Sequence, residues 1–263
     1  MANNRVKELW QRGEPAFGAW LSIPSSLSCE AMARAGYDYV CLDLQHGLID
    51  YPDAAEMLVA INSTAATPFV RVPANDFAAI NRALDAGALG IIVPMIHSSD
   101  EARRAVDACF YSPNGSRSYG PVRASLTFGP NYLTKANEMV IGVPMIETKD
   151  AVEDIEAIVS LPGVDAVYVG PNDLSLSLGQ SPAAGRVLQS VRAFQWRERA
   201  RSCLQHWRSL LASSKARPAL ERRRRRLLLT TFLLLAFYCL LLTAYCLLLT
   251  AYCLLLWVLL TAY

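Results

Sequence analysis

Lysine is scarce in the first two thirds of the chain, and histidine is scarcer. Residues 1–184 contain only Lys7, Lys135 and Lys149, and the whole sequence holds His46, His97 and His206. None of the three lysines closes an apolar run, so an imine-forming mechanism lacks its nucleophile. No GxGxxG, and no GxxxxGK followed by Ser or Thr, succeeds an apolar run, which removes the phosphate-cradling loops of dinucleotide and P-loop proteins. Cys29, Cys41 and Cys109 show no pairing pattern, and Cys203, Cys239, Cys246 and Cys253 sit in a different tract. Neither a disulfide framework nor a zinc knuckle is built from them, and a reducing compartment is expected. The opening MANNRVKELWQRGEPAFG has no apolar stretch of the signal-peptide kind.

A second set of absences divides the chain. After Gly185 there is no Gly, Met, Asp, Asn or Ile. Residues 1–184 carry 12 Lys and Arg against 21 Asp and Glu, whereas residues 185–263 carry 13 against 2, so the bland total of +2 is the sum of an acidic and a basic region. A single globular domain does not ordinarily change its alphabet in this way. Three regions are expected: a domain over 1–184, a basic linker over 185–226 and an apolar, Leu-rich helical tail over 227–263. The tail has no charge in 37 residues; YCLLLTA stands at 238 and 245, and its first five residues recur at 252. A near-exact heptamer repeat matches a 21-base repeat in DNA, which suggests a frameshifted or misassembled reading frame. The rival reading is a membrane anchor, since Arg222–Arg226 precede the tail. At about 1.5 Å per residue such a helix is roughly 55 Å long, too long for one span, and it has no polar turn for two. The basic tract has no recognised nucleic-acid motif, so no nucleic-acid partner is expected.

What is present in 1–184 is a repeat of short apolar runs and helical segments. The runs are FGAWLS (17–22), YDYVCLDL (37–44), PFVRV (68–72), GIIVPMI (90–96), VIGVPMIE (140–147) and VDAVYVGPND (164–173). Between them stand SSLSCEAMARAG, YPDAAEMLVAINST, NDFAAINRALDAGA, SSDEARRAVDACF and TKDAVEDIEAIVSL, opened by capping residues and several of them closed by Gly. Runs that are apolar throughout suit parallel strands covered on both faces. The pattern predicts an α/β fold of TIM-barrel (β/α)8 type, truncated after about six βα units, with the chemistry at the C-terminal strand ends.

Those ends are polar. Strand two runs into Asp43, Gln45 and His46, strand three carries Arg71, strand five stops at Glu147, and strand six at Asn172 and Asp173. Neighbouring parallel strands lie about 4.8 Å apart, so the Glu147 and Asp173 carboxylates can converge. Two carboxylates without His or Cys favour a hard divalent cation, with water or substrate oxygens in the remaining positions. Glu147 equally suits a helix cap, and Asp173 an Asx turn. His46 is the general-base candidate, because imidazole titrates near neutrality; a hydrogen-bonded structural histidine is the alternative. Arg71, closing a buried strand, must be paired or face an anion.

AGYDYVCLDLQHG, FVRV, RALDAGALGIIVPM, SYGPVRA, VPMIET and PGVDAVYVGPNDLS together resemble the HpcH/HpaI aldolase family over about residues 15–182. The resemblance implies a class II, metal-dependent pyruvate aldolase on a modified (β/α)8 barrel, using Mg²⁺, Mn²⁺ or Co²⁺, cytoplasmic and assembled as a hexamer. It implies Glu147 and Asp173 as metal ligands, His46 as the base, Arg71 as the stabiliser of enolate charge, and Asp85 as the acid that raises the basicity of His46. From the residues alone, Asp85 reads as a surface helix position paired with Arg82. Asn172 falls where the family binds substrate, and Met145 where many members place a substrate-contacting Gln. The implied reaction is retro-aldol cleavage of a 4-hydroxy-2-oxo acid to pyruvate and an aldehyde. Alternatives are a citrate-lyase-β-like or malyl-CoA-lyase activity in the same superfamily, or an inactive membrane-associated remnant.

Overall fold

The computed structural model describes residues 4–179. The linker expected over 185–226 and the tail expected over 227–263, with its frameshift and membrane readings, lie outside the described residues. Among the described residues no helix is long and apolar enough to cross a membrane.

The apolar runs form six parallel strands hydrogen-bonded in chain order: β1 (Gly18–Leu21), β2 (Tyr39–Asp43), β3 (Thr67–Arg71), β4 (Gly90–Val93), β5 (Ile141–Ile146) and β6 (Tyr168–Val169). The described residues thus make an open six-stranded part of a barrel. The Trp20 and Tyr168 rings, from β1 and β6, lie 5.3 Å apart between centroids, so the curl of the sheet brings the outermost strands together on its inner side.

Uniform apolarity conceals the period of two that every strand imposes. Cys41, Phe69, Ile92, Ile141, Val143 and Met145 face the barrel interior as one cluster, joined by Val6. Val40, Leu42, Val70, Ile91, Val93 and Ile146 face outward and pack on the helices. Those helices are α2 (Ser26–Arg34), α3 (Tyr51–Asn62), α4 (Phe77–Asp85) and α5 (Ser99–Asp107), which contribute Cys29, Leu58, Ile80 and Val106 to the same layer. A side chain as completely buried as Ile80 contributes roughly 1.5–3 kcal/mol. The caps read from the sequence form: the Ser25, Asp76 and Ser98 side chains accept from the backbone N–H three residues on. Each such cap stabilises its helix by about 1 kcal/mol.

Helix α1 (Arg5–Gln11), for which the sequence shows no strand-alternating context, closes the N-terminal end of the barrel. Val6 enters the interior cluster, and the Asn4 amide donates to the carbonyls of Leu89 and Met139 at 3.4 and 2.7 Å. Helices α6 (Val122–Phe128) and α7 (Tyr132–Met139) fill the long connection from α5 to β5.

Two boundaries differ from expectation. TKDAVEDIEAIVSL, read as one helix, is α8 (Lys149–Glu153) and α9 (Ile155–Val159), broken at Asp154. The Asp154 carboxylate accepts from Ser99 N–H at 2.6 Å, a tie to the start of α5 that draws this residue out of the helix. The sixth strand is two residues long, and Asn172 and Asp173 do not end it. They occupy the first turn of α10 (Pro171–Ser177), which Pro171 opens with a preset φ.

Candidate active site at the strand ends

The inward-facing row that is apolar along the strands becomes charged at their C-terminal ends. Asp43 and Arg71 are partners in the β2–β3 register, so strand pairing alone sets them side by side. Arg71 Nε donates to Asp43 Oδ1 at 2.9 Å and Nη2 donates to Oδ2, a bidentate pair in which the Arg71 side chain is 11% and that of Asp43 4% exposed. Trp20 Nε1 also donates to Oδ2, at 3.1 Å, and the guanidinium carbon of Arg71 stands 4.9 Å from the centre of the Trp20 ring. The fork is clamped at its edge and on its face.

Asp43 also shapes the loop that bears His46. Its Oδ1 accepts from the backbone N–H of Gln45 and His46 at 3.1 and 3.2 Å. The loop then passes so close to its own strand that a Cβ on Gly47 would stand 2.1 Å from the Asp43 carbonyl oxygen. His46 itself is exposed. Burial by itself raises the Asp43 carboxyl, but the hydrogen bonds from Arg71, Trp20 and the His46 amide outweigh it and hold the group down at about 2.

Glu147 follows β5 and is 2% exposed. Its Oε1 accepts from Met95 N–H at 2.6 Å. Its Oε2 occupies space that only glycine leaves free: a Cβ on Gly170 would lie 2.5 Å from it. Burial, the larger cause, and the negative charge of Asp173 raise the Glu147 carboxyl, while Met95 N–H, Arg71 and His46 oppose them. The Glu147 carboxyl is thus raised by Asp173 and lowered by Arg71 and His46, all three of which stand at this end of the sheet.

Asn172 and Asp173 are exposed in the first turn of α10, next to Glu147 through Gly170. Met145 is 1% exposed, one inward position before Glu147, in the apolar interior beneath the charged groups. Asp85 is elsewhere. It ends α4, which runs back from the Arg71 end of β3 towards the start of β4, so within one chain it lies at the opposite end of the sheet from His46. Asp85 does not pair with Arg82. Asp85 instead accepts from Arg117 Nη2 at 2.8 Å, and Arg82 stacks on the Tyr51 ring. Two of the described lysines are engaged with other groups: Lys7 donates to the Glu138 carbonyl and Lys149 pairs with Glu153.

Among the described residues no three His, Cys, Asp or Glu side chains gather closely enough to hold a metal by themselves. Glu147 and Asp173 are hard oxygen donors, and Glu147 Oε2 fits where it does only because residue 170 has no Cβ. That set suits a divalent cation whose remaining positions go to water or substrate oxygens. Sequence reasoning passed over Asp43 as the counterion of Arg71, although an Asp two and three residues before free backbone N–H groups is an Asx-turn signal. It also missed Trp20, Met95 and Gly170, whose roles arise from contacts across strands.

Comparison with known proteins agrees with this geometry. The sequence model of the HpcH/HpaI aldolase/citrate lyase family matches residues 16–202. The chain is 48% identical over 179 residues to a hydroxypyruvate/pyruvate aldolase of Rhizorhabdus wittichii, covering 68% of this chain and 71% of that one. It is 37% identical over 180 residues to a 4-hydroxy-2-oxo-heptane-1,7-dioate aldolase of Klebsiella pneumoniae, covering 67% and 68%. The fold superimposes on the crystal structure of an HpcH/HpaI aldolase/citrate lyase family protein from Burkholderia cenocepacia with a TM-score of 0.67 at 35% identity, covering 72% of this chain and 78% of that one.

Proposed function

Because the chain belongs to the HpcH/HpaI aldolase/citrate lyase family, we propose that it is a divalent-metal-dependent lyase that cleaves a 4-hydroxy-2-oxo acid to pyruvate and an aldehyde. The observation that carries this reading is the buried Glu147 carboxylate after β5, held through one oxygen by Met95 N–H and packed through the other on Gly170, which begins the helix that bears Asp173. Glu147 and Asp173 hold the cation. Bound there, it supplies Lewis-acid polarisation of the 2-oxo group.

The chain's own groups account for the remaining charge and proton movements. Arg71, fixed through Nε and Nη2 by Asp43, uses Nη1 to donate to the 2-oxo oxygen as negative charge gathers there. His46 takes the 4-hydroxyl proton; the C3–C4 electron pair moves into the pyruvoyl fragment as the C4–O bond becomes the aldehyde carbonyl. Protonation at C3 then completes pyruvate. Asn172, beside Asp173 in the first turn of α10, binds the substrate at this rim, and Met145 lines the apolar floor beneath it. Asp85 can act on His46 only from a second copy of the chain, since its own lies at the far end of the sheet; a homo-oligomer is part of this reading.

The test is chelation. Cleavage of 4-hydroxy-2-oxo acids is expected to stop with EDTA and to return with Mn²⁺, Co²⁺ or Mg²⁺. Borohydride with pyruvate is expected to leave the protein unlabelled. Turnover that survives exhaustive chelation removes the metal from this reading.

A further inference from the structure

Met95 is the one residue other than glycine among those described whose φ is positive, at 53°. L-residues with side chains adopt this left-handed region uncommonly, and a long unbranched residue gains nothing from it locally. Nor does packing explain it, because the Met95 side chain is 45% exposed. The residue sits between Pro94, whose ring restricts the preceding backbone, and Ile96, which is fully buried in the outer core. What the conformation achieves is the direction of one N–H group: Met95 N donates to Glu147 Oε1 at 2.6 Å, across a gap of 52 residues. Such strained backbones persist only where surrounding structure over-determines them, and they collect at ligand sites.

We propose that Met95 is a positioning residue, whose left-handed backbone holds Glu147 by one carboxylate oxygen so that the other, in the space left by Gly170, is presented to a divalent cation. The inference rests on the proposed role of Glu147 as a ligand and adds to it the element that orients that ligand. Outer hydrogen bonds of this kind fix a ligand's rotamer, and their loss typically weakens metal binding 10- to 100-fold. The relevant property of residue 95 is thus its ability to adopt positive φ. Its side chain is incidental, which is an unusual expectation for a methionine facing a site.

The experiment measures Mn²⁺ affinity of the full chain by electron paramagnetic resonance for wild type, Met95→Gly, Met95→Ile and Glu147→Ala. Ile is β-branched and disfavoured at positive φ, whereas Gly adopts it freely. Met95→Ile is expected to weaken Mn²⁺ about tenfold, and Met95→Gly by distinctly less, although Gly is the larger deletion. Equal affinities for the Ile variant and wild type, or a Gly variant as weak as the Ile variant, overturn the proposal. Wild-type protein supplies an independent readout when its six methionines carry ¹⁵N. One methionine amide proton should resonate far downfield, as a short bond to a carboxylate requires, and should move upfield in Glu147→Ala. No such resonance also overturns it. If Glu147→Ala binds Mn²⁺ as wild type does, the ligand reading of Glu147 fails instead, a result distinct from both.

Discussion

The two ends of the sheet carry similar numbers of charged and polar groups and use them in opposite ways. At the N-terminal end the groups are consumed by the chain. Asn4 bonds two carbonyls, Arg5 pairs with Asp38, and Arg117, whose side chain is 0% exposed, donates to both Asp85 and the Tyr132 hydroxyl and leaves only its buried Nε without a hydrogen bond. At the C-terminal end Asp43 is spent on Arg71, Trp20 and the loop amides, but the groups around it are only partly engaged. Arg71 spends two of its nitrogens on Asp43, Glu147 spends one oxygen on Met95, and His46 and Asp173 stay exposed. Polarity alone therefore does not distinguish the two ends of this fold. Exposed groups with hydrogen-bonding capacity to spare, beside groups that are spent, do.

The comparison breaks most visibly if an N-terminal-end group proves catalytic within its own chain. Arg117→Ala removes one partner of a buried pair and strands Asp85 and Tyr132, which costs about 3 kcal/mol of stability. Thermal unfolding should show this loss while Mn²⁺ affinity of the folded protein is preserved. Equal losses of stability and metal affinity would mean that the two ends are coupled.

Arg71→Lys makes the converse test at the other end. An ammonium keeps the charge but cannot bond Asp43 in two places and still offer a third donor. Turnover should fall about a hundredfold, in the range seen when one charge-stabilising donor is removed, with stability changed less than in Arg117→Ala. A Lys variant with wild-type turnover would show that point charge suffices and that the fork has only a structural purpose.

How much of this contrast was legible beforehand depends on which contacts make each feature. Six apolar runs became six strands because burial on both faces leaves a one-dimensional signature, and Ser25, Asp76 and Ser98 cap helices because capping is local. The polar residues His46, Arg71 and Glu147 after or at the ends of β2, β3 and β5 were legible because strand ends are where a parallel sheet exposes polar groups, whereas Asp173 lies in the first turn of α10. The break at Asp154 could not, since its cause is an amide in α5, 55 residues away in sequence. Asp85 shows the same limit: its motif is informative, but only the return direction of α4 shows which end of the sheet it reaches. Met95 carried no signal at all, because nothing in VPMI distinguishes a methionine forced to positive φ from one extending a strand.

The acid limb of the stability curve sharpens the contrast more gently. Asp43 is held at about 2 when folded, against about 3.9 for an ordinary unfolded Asp. A carboxyl lowered by folding contributes stability that is fully present above its unfolded value and is lost as pH falls towards its folded one. The contribution, on the order of 1–2 kcal/mol, should therefore persist from neutrality to about pH 5 and vanish between pH 4 and 2. Asp43→Asn should lower stability at pH 7 and flatten that part of the curve. A variant whose acid limb matches wild type would show that Arg71 and Trp20 do not stabilise the charged form.

Trp20→Phe is the smallest change and the most discriminating. It deletes the indole N–H to Asp43 Oδ2 yet retains a ring that can face Arg71 and Tyr168. Asp43 keeps its Arg71 and backbone donors, so the loss is that of one hydrogen bond, about 1 kcal/mol. If Trp20 serves to hold the guanidinium in register, about a fivefold fall should appear in kcat, with little change in the affinity for pyruvate. Trp20→Leu, which removes the ring face as well, should add a comparable further loss, since cation–π contacts are worth about 0.5–2 kcal/mol. If instead both variants lose stability while kcat stands, Trp20 acts as Asn4 does, as a group spent on the fold. The boundary between the two ends would then run through the Asp43–Arg71 pair, with Trp20 on the structural side of it.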